Sequence, residues 1–233
     1  MIKIKQVDFG REDLFDLLDG SNNVGVELGV ALGEYSFSAV KSKKFSLFIG
    51  VDSFELGHYG INEYKKALKK NNIFETKYKI IKMIFDNALD LFDDNSIDFI
   101  YFDGFAHNGQ LGGKTIIDWY SKVKIGGLVA GDDYDDNWPL VKMVVNDLVK
   151  QINVDLFVTK IIKKNQYSEF PSWYFYKKNN QNIYLNESLY NKSIIRDKLE
   201  FFFNFFSSLK KFLKKALKTI LPKSIINILK RIK

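Results

Sequence analysis

The sequence predicts an α/β fold: a three-layer sandwich around a mostly parallel sheet of seven strands, followed by a helical tail. Three observations carry that expectation. Apolar runs alternate with helix-spaced segments along the first three quarters of the chain, as successive βαβ units require. Two of those runs, NVGVEL and IDFIYF, are continuous enough to be buried strands. Beyond Phe201 the pattern changes to apolar residues at helical spacing with lysines between them.

Taken in order, Asn23–Leu28 is the first strand and closes on a glycine turn. A helix follows over 36–42, and SLFIGV at 46–51 is the second strand. Over 60–71 the spacing places Tyr64, Ala67 and Leu68 on one helical face. A third strand covers 78–83, a short helix 86–92, and Ile97–Phe102 is the fourth strand. Next come a helix over 114–122, the turn Lys124-Ile125-Gly126 and a fifth strand at 127–130. Pro139 opens a helix over 139–151, where a missing backbone N–H is tolerated. Two β segments, 154–162 and 172–176, finish the sheet in hairpin-like succession. The expected organisation is a Rossmann-like domain over 1–178, a polar linker over 179–198 and a basic amphipathic tail over 199–233.

Composition narrows the chemistry. A chain of 233 residues accommodates one domain with an appendage. The absence of cysteine excludes disulfides, thiolate nucleophiles and Cys-ligated zinc. MIKIKQVDFGRED lacks the apolar stretch of a signal peptide, and no apolar run reaches the ~18 residues of a membrane span. A cytoplasmic protein is expected, peripheral on the inner membrane face if its tail binds there. The net charge of +7 is local: residues 201–233 carry nine basic side chains and no acidic one. Positions 1–200 then hold 26 basic against 28 acidic residues, a net charge of −2. A slightly acidic body argues against a nucleic-acid partner, which would need a basic face.

In an open parallel sheet, ligands bind beyond the carboxyl ends of the strands. Glu27 closes the first strand and leads into Gly29, Gly33 and Ser36 at the start of the next helix, a turn that lets backbone approach a ligand. Gly25, Gly29 and Gly33 stand four apart, so the G-x-G-x-x-G dinucleotide fingerprint is absent. Asp52 closes the second strand, where a carboxylate can accept hydrogen bonds from ribose hydroxyls. Asp103 closes the fourth, and Asp132 and Asp133 the fifth. Adjacent strands lie about 4.8 Å apart, so these three could share a hard cation such as Mg²⁺, which would bind and acidify a substrate hydroxyl. The competing reading is a set of acidic residues in exposed turns, which suits Asp135 and Asp136. His107, just past the fourth strand, is a candidate general base, with a surface loop histidine as its alternative; for His58, in a loop after the second strand, the surface reading outweighs the catalytic one.

The succession ELGVALGEYS, GVDSF, IDFIYFDG and KIGGLVAGDDY resembles the class I S-adenosylmethionine-dependent methyltransferases. More narrowly it is similar to the metal-dependent O-methyltransferases that include catechol, macrolide-sugar and small bacterial sugar enzymes. The likeness spans roughly 20–178. It implies that Glu27, Gly29, Gly33 and Ser36 surround the methionine part of the cofactor, that Asp52 meets the ribose, and that Asp86 and Asn87 lie near the adenine. It implies metal ligation by Asp103, Asp132 and Asp133, with Asp103 and His107 serving catalysis. His107 stands four residues after Asp103, whereas relatives often carry histidine three after. The function expected is methyl transfer to a hydroxyl of a sugar or similar polar acceptor; an amine or carboxylate acceptor is the alternative. The segments 54–60, 105–113, 134–138 and 166–173 are the expected acceptor pocket.

Other classes fit less well. The stretch 109–115 (GQLGGKT) lacks the first glycine of a phosphate loop, since position 108 is Asn, and it stands away from its strand. A nicotinamide enzyme would need the missing glycine fingerprint. A non-catalytic, membrane-tethered module would have little use for carboxylates at three strand ends. In the tail, Leu199, Phe202, Phe203, Phe206, Leu209, Leu213, Ala216, Leu217 and Ile220 recur helically, and Pro222 starts a second short helix. Such a helix suits an anionic membrane surface, or packing on the domain or on a second subunit of a homo-oligomer.

Overall fold

The computed structural model describes residues 3–55, 60–74, 76–162 and 169–220. His58, all of 163–168 and everything from 221 on, Pro222 and its expected second helix included, lie outside them, as do the side chains of 74 and 214–220. The strands are β1 (Ile4–Gln6), β2 (Asn23–Leu28), β3 (Phe45–Asp52), β4 (Tyr78–Lys82), β5 (Ile97–Phe102), β6 (Val123–Gly131), β7 (Leu156–Val158) and β8 (Trp173–Tyr176). They form one sheet in the order β1-β7-β8-β6-β5-β2-β3-β4, with β8 antiparallel to β6 and β7 and the other pairs parallel.

Seven strands were expected and the sheet has eight. The extra one is β1, three exposed residues paired with β7 at the sheet edge, too short and polar to announce itself. The other seven strands stand where the apolar runs placed them, although β7 covers only three residues of the expected 154–162 and β6 begins before the expected 127. On β2, β5 and β6, Val26, Leu28, Ile100, Phe102 and Val129 point to one face, and Phe99, Tyr101, Leu128 and Ala130 to the other. Both sets are buried, as a parallel sheet covered on both sides demands.

The first face is covered by α3 (Phe85–Ala88), α5 (Lys114–Tyr120) and α6 (Pro139–Ile152). α6 buries Val141, Val144, Val145, Leu148, Val149 and Ile152, the stripe of an amphipathic helix with its proline in the first turn. The second face is covered by a 3₁₀ turn at Arg11–Leu17 and by α1 (Glu34–Lys41). α2 (Ile61–Asn71) buries Ala67 against Val30 and Phe54, and a single turn, α4 (Gly109–Gly112), precedes α5.

The polar stretch after β8 is tied to the domain. Gln181 Nε2 donates to the Gln151 carbonyl at 2.8 Å, and the Asn179 carbonyl accepts from the Tyr120 hydroxyl at 3.2 Å. α7 (Glu187–Ile220) starts well inside the expected linker, where the Asn186 side chain caps the Leu189 N–H. Its first turns bury Leu189 and Ser193, and the compact unit runs to Ser193. From Ile194 the helix is a separate unit that exposes Phe201, Phe202, Phe203, Phe205, Phe206, Phe212 and Leu213. No helix among the described residues is long and apolar enough to cross a membrane.

Candidate cofactor and acceptor site

The carboxyl ends of β2, β3, β5 and β6 bring most of the expected residues to one edge of the sheet. Leaving β2, the chain turns at Gly29, whose φ of +98° suits glycine and whose Cα faces the Asp103 carbonyl; an added Cβ would lie 2.4 Å from that oxygen. Gly33, also left-handed at φ +70°, precedes α1. Asp52 fixes this turn: Oδ2 accepts from the Val30 N–H at 2.9 Å and the Ala31 N–H at 3.1 Å, and Oδ1 from the Phe54 N–H at 2.8 Å. A carboxylate offers about four acceptor positions, so room for one ligand hydroxyl remains.

Glu27 is fully buried and accepts a short hydrogen bond from the Ser36 hydroxyl. Burial pushes its carboxyl up to about 8, against the opposing pull of Ser36 and of Arg11. Asp86 and Asn87 lie on α3, with Asp86 paired to Lys114 at 3.2 Å. Beside them Phe85 meets the Phe105 ring edge-on, centroids 5.2 Å apart, below Gly104. His107 is half-buried in a 3₁₀ turn, Ala106–Asn108, one turn past Asp103.

Between Asp103 and Asp132 stands Arg11, which the sequence did not single out. Its Nη1 donates to Asp132 Oδ2 at 2.9 Å and lies 3.6 Å from Asp103 Oδ2. The guanidinium sits 4.9 Å from the Tyr35 ring centroid and is 7% exposed. Burial opposes its charge, but Tyr101, Asp103 and Asp132 hold its pKa above the ordinary arginine value. Asp132 Oδ1 accepts from the Ser172 hydroxyl at 3.0 Å, and the Tyr101 hydroxyl bonds Ser172 Oγ at 2.7 Å. Burial raises the pKa of Asp132 and Asp103; for Asp103, Asp132 adds to the rise and Arg11 reduces it. Asp133, left-handed at φ +65°, is pushed up to about 7 by burial and then by Asp132.

This departs from the expected metal site. Both Asp132 oxygens already accept hydrogen bonds, and a divalent ion between Asp103 and Asp132 would meet a fixed positive charge. The donor set does not fit Mg²⁺. Among the described residues, no group of three or more His, Asp or Glu is arranged to hold a metal ion. Arg11 carried no signal in the sequence, because nothing local marks an arginine destined for burial 121 residues from its partner.

No family model matches the sequence, and no curated protein matches it significantly. Solved structures do match. Spermidine synthase from Thermotoga maritima aligns with a TM-score of 0.55 at 14% identity, covering 79% of this chain and 68% of that one. An rRNA methylase from Streptococcus thermophilus aligns at 0.52 and 12% identity, over 72% of this chain and 94% of its own. The chain has a Rossmann-like methyltransferase fold. A Corynebacterium glutamicum protein gives 0.52 at 7% identity, with 74% and 82% coverage. At these identities it is the methyltransferase fold that is shared: a parallel sheet between helices, ending in an antiparallel strand.

Proposed function

We propose that this chain binds S-adenosylmethionine at the ends of β2, β3 and β5 and transfers its methyl group to a hydroxyl of a sugar or similar polar acceptor. The observation that carries the reading is the Gly29–Gly33 turn, locked by Asp52 beside the buried Glu27 in a methyltransferase fold. In this reading Glu27, Gly29, Gly33 and Ser36 enclose the methionine end, Asp52 takes a ribose hydroxyl, and Asp86 and Asn87 border the adenine. Bound S-adenosylmethionine supplies a methyl group already activated on a sulfonium. The protein's work is then in-line positioning and removal of the acceptor proton. His107 accepts that proton, and Asp103 orients the acceptor beside the methyl. The oxygen–methyl bond forms as the carbon–sulfur bond breaks, its electron pair remaining on sulfur.

Asp103 and Asp132, which a metal ion would need, are engaged by Arg11. The excess of carboxylates over that single cation favours, as a second reading, an amine acceptor. The exposed aromatic face of α7 and the nine basic residues of 201–233 support association with an anionic membrane surface. A saccharide linked to lipid would then be a natural acceptor.

Calorimetric titration with S-adenosylhomocysteine, beside NADH and ATP, tests the reading. Binding of S-adenosylhomocysteine alone is expected; binding of NADH or ATP instead would overturn it.

A further inference from the structure

We propose that Arg11 is a built-in cation that takes the place of a divalent metal ion among the carboxylates ending β5 and β6. The inference deepens the proposed function and rests on that reading only for the reaction being served. Its geometric basis is independent. A guanidinium is planar, permanently charged and weakly hydrated, so it survives burial between carboxylates better than an ammonium. Here it reaches the sheet from the 3₁₀ turn Arg11–Leu17, contacts Asp132 at 2.9 Å and Asp103 at 3.6 Å, and rests on the Tyr35 ring. The Tyr35 hydroxyl donates to the Arg11 carbonyl at 3.3 Å, anchoring the same residue at both ends. Ser172 holds the opposite oxygen of Asp132, so the carboxylate cannot swing away to meet another cation.

A metal ion exchanges with solvent and can bind an acceptor oxygen directly. Arg11 does neither: it is covalently part of the fold and almost wholly buried. It is a positioning residue, holding Asp132 by a hydrogen bond and lying beside Asp103. The reaction it serves is therefore insensitive to chelators.

Mn²⁺ is the probe. It is titrated by calorimetry into the full-length wild type, Arg11→Gln, Arg11→Lys, Asp132→Asn and the double variant Arg11→Gln/Asp132→Asn, with thermal melts alongside. Wild type and Arg11→Lys are expected to show no Mn²⁺-dependent rise in Tm. Arg11→Gln is expected to gain about tenfold or more in Mn²⁺ affinity, a modest yield for removing a like charge a few ångströms away, and a Tm that rises with Mn²⁺. The double variant should lose both. A wild-type Mn²⁺ site that Asp132→Asn abolishes would overturn the proposal even if no Arg11 variant folds. So would a folded Arg11→Gln protein that binds Mn²⁺ no better than wild type, or a site appearing in Arg11→Lys. S-adenosylhomocysteine titrated into the same wild-type sample separates the two ideas: its failure to bind sinks the methyltransferase reading and leaves the Mn²⁺ result standing.

Discussion

Gly29 and Asp103 are in backbone contact: the Cα of one faces the carbonyl oxygen of the other across the ends of β2 and β5, with space for hydrogen alone between them. Gly29→Ala would combine a left-handed backbone with this clash. A loss of about 2–4 kcal/mol is expected from the two effects together, read as a lower urea midpoint at unchanged m-value. S-adenosylhomocysteine affinity should fall with it, because the displaced backbone carries both Glu27 and Asp103.

Asp52 holds its turn by charge-assisted hydrogen bonds from three backbone N–H groups. Asp52→Ala is therefore expected to lower Tm as well as weaken cofactor binding. A variant that loses binding at wild-type Tm would show that Asp52 serves the ligand alone.

Glu27 gives a pH signature. Its folded carboxyl titrates near 8 because burial penalises the charge, whereas an unfolded glutamate titrates near ~4.3. Between these values the folded state holds the extra proton, so stability declines as pH rises through the window and levels off above 8. Glu27→Gln should flatten that decline in denaturant titrations run from pH 5 to 9. Where Glu27 meets the ligand's ammonium, wild-type S-adenosylhomocysteine affinity should instead tighten with pH up to about 8 and binding should release protons.

Lys177 lies at the other end of the sheet, buried, with Nζ donating to the Val123 carbonyl at 2.7 Å and the Tyr120 carbonyl at 2.9 Å. Lys177→Met should cost about 2–4 kcal/mol by leaving those carbonyls unsatisfied. Cofactor affinity should be unchanged, which calorimetry on the folded variant can check.

Cutting after Ser193 removes the aromatic and basic part of α7 while sparing the buried Leu189. The shortened protein is expected to keep S-adenosylhomocysteine binding and to stop cosedimenting with anionic vesicles. Cosedimentation unchanged by the cut would refute the membrane reading of the tail.

How much of this was legible in the sequence varies by element. β5 coincides with its apolar run, since a strand buried on both faces is apolar wherever it is covered; its one charged residue, Asp98, is only half-buried near the start and pairs with Lys124. β6 starts four residues before the expected 127, because Gly126, left-handed at φ +85°, imitates a terminal turn while the strand continues through it. Glu27, Asp52, Asp103, Asp132 and Asp133 all close the strands their positions implied. What could not be read was the cation. Carboxylates at strand ends announce that positive charge is needed, and they are equally consistent with a dissolved ion or a distant arginine. Only the path of residues 3–20 across the second face of the sheet distinguishes the two.

That path also orders the making of the protein. Arg11 is synthesised 121 residues before Asp132, and β1 pairs with a strand beginning at Leu156. Tyr35 and Phe45 can receive the early segment soon after it is made, but Arg11 lacks Asp132 and β1 lacks β7 until much later, and closing so long a loop is slow compared with forming local helices. A ribosome-bound chain stopped short of Asp132 would therefore carry Arg11 against Tyr35 with its anionic partner still unmade.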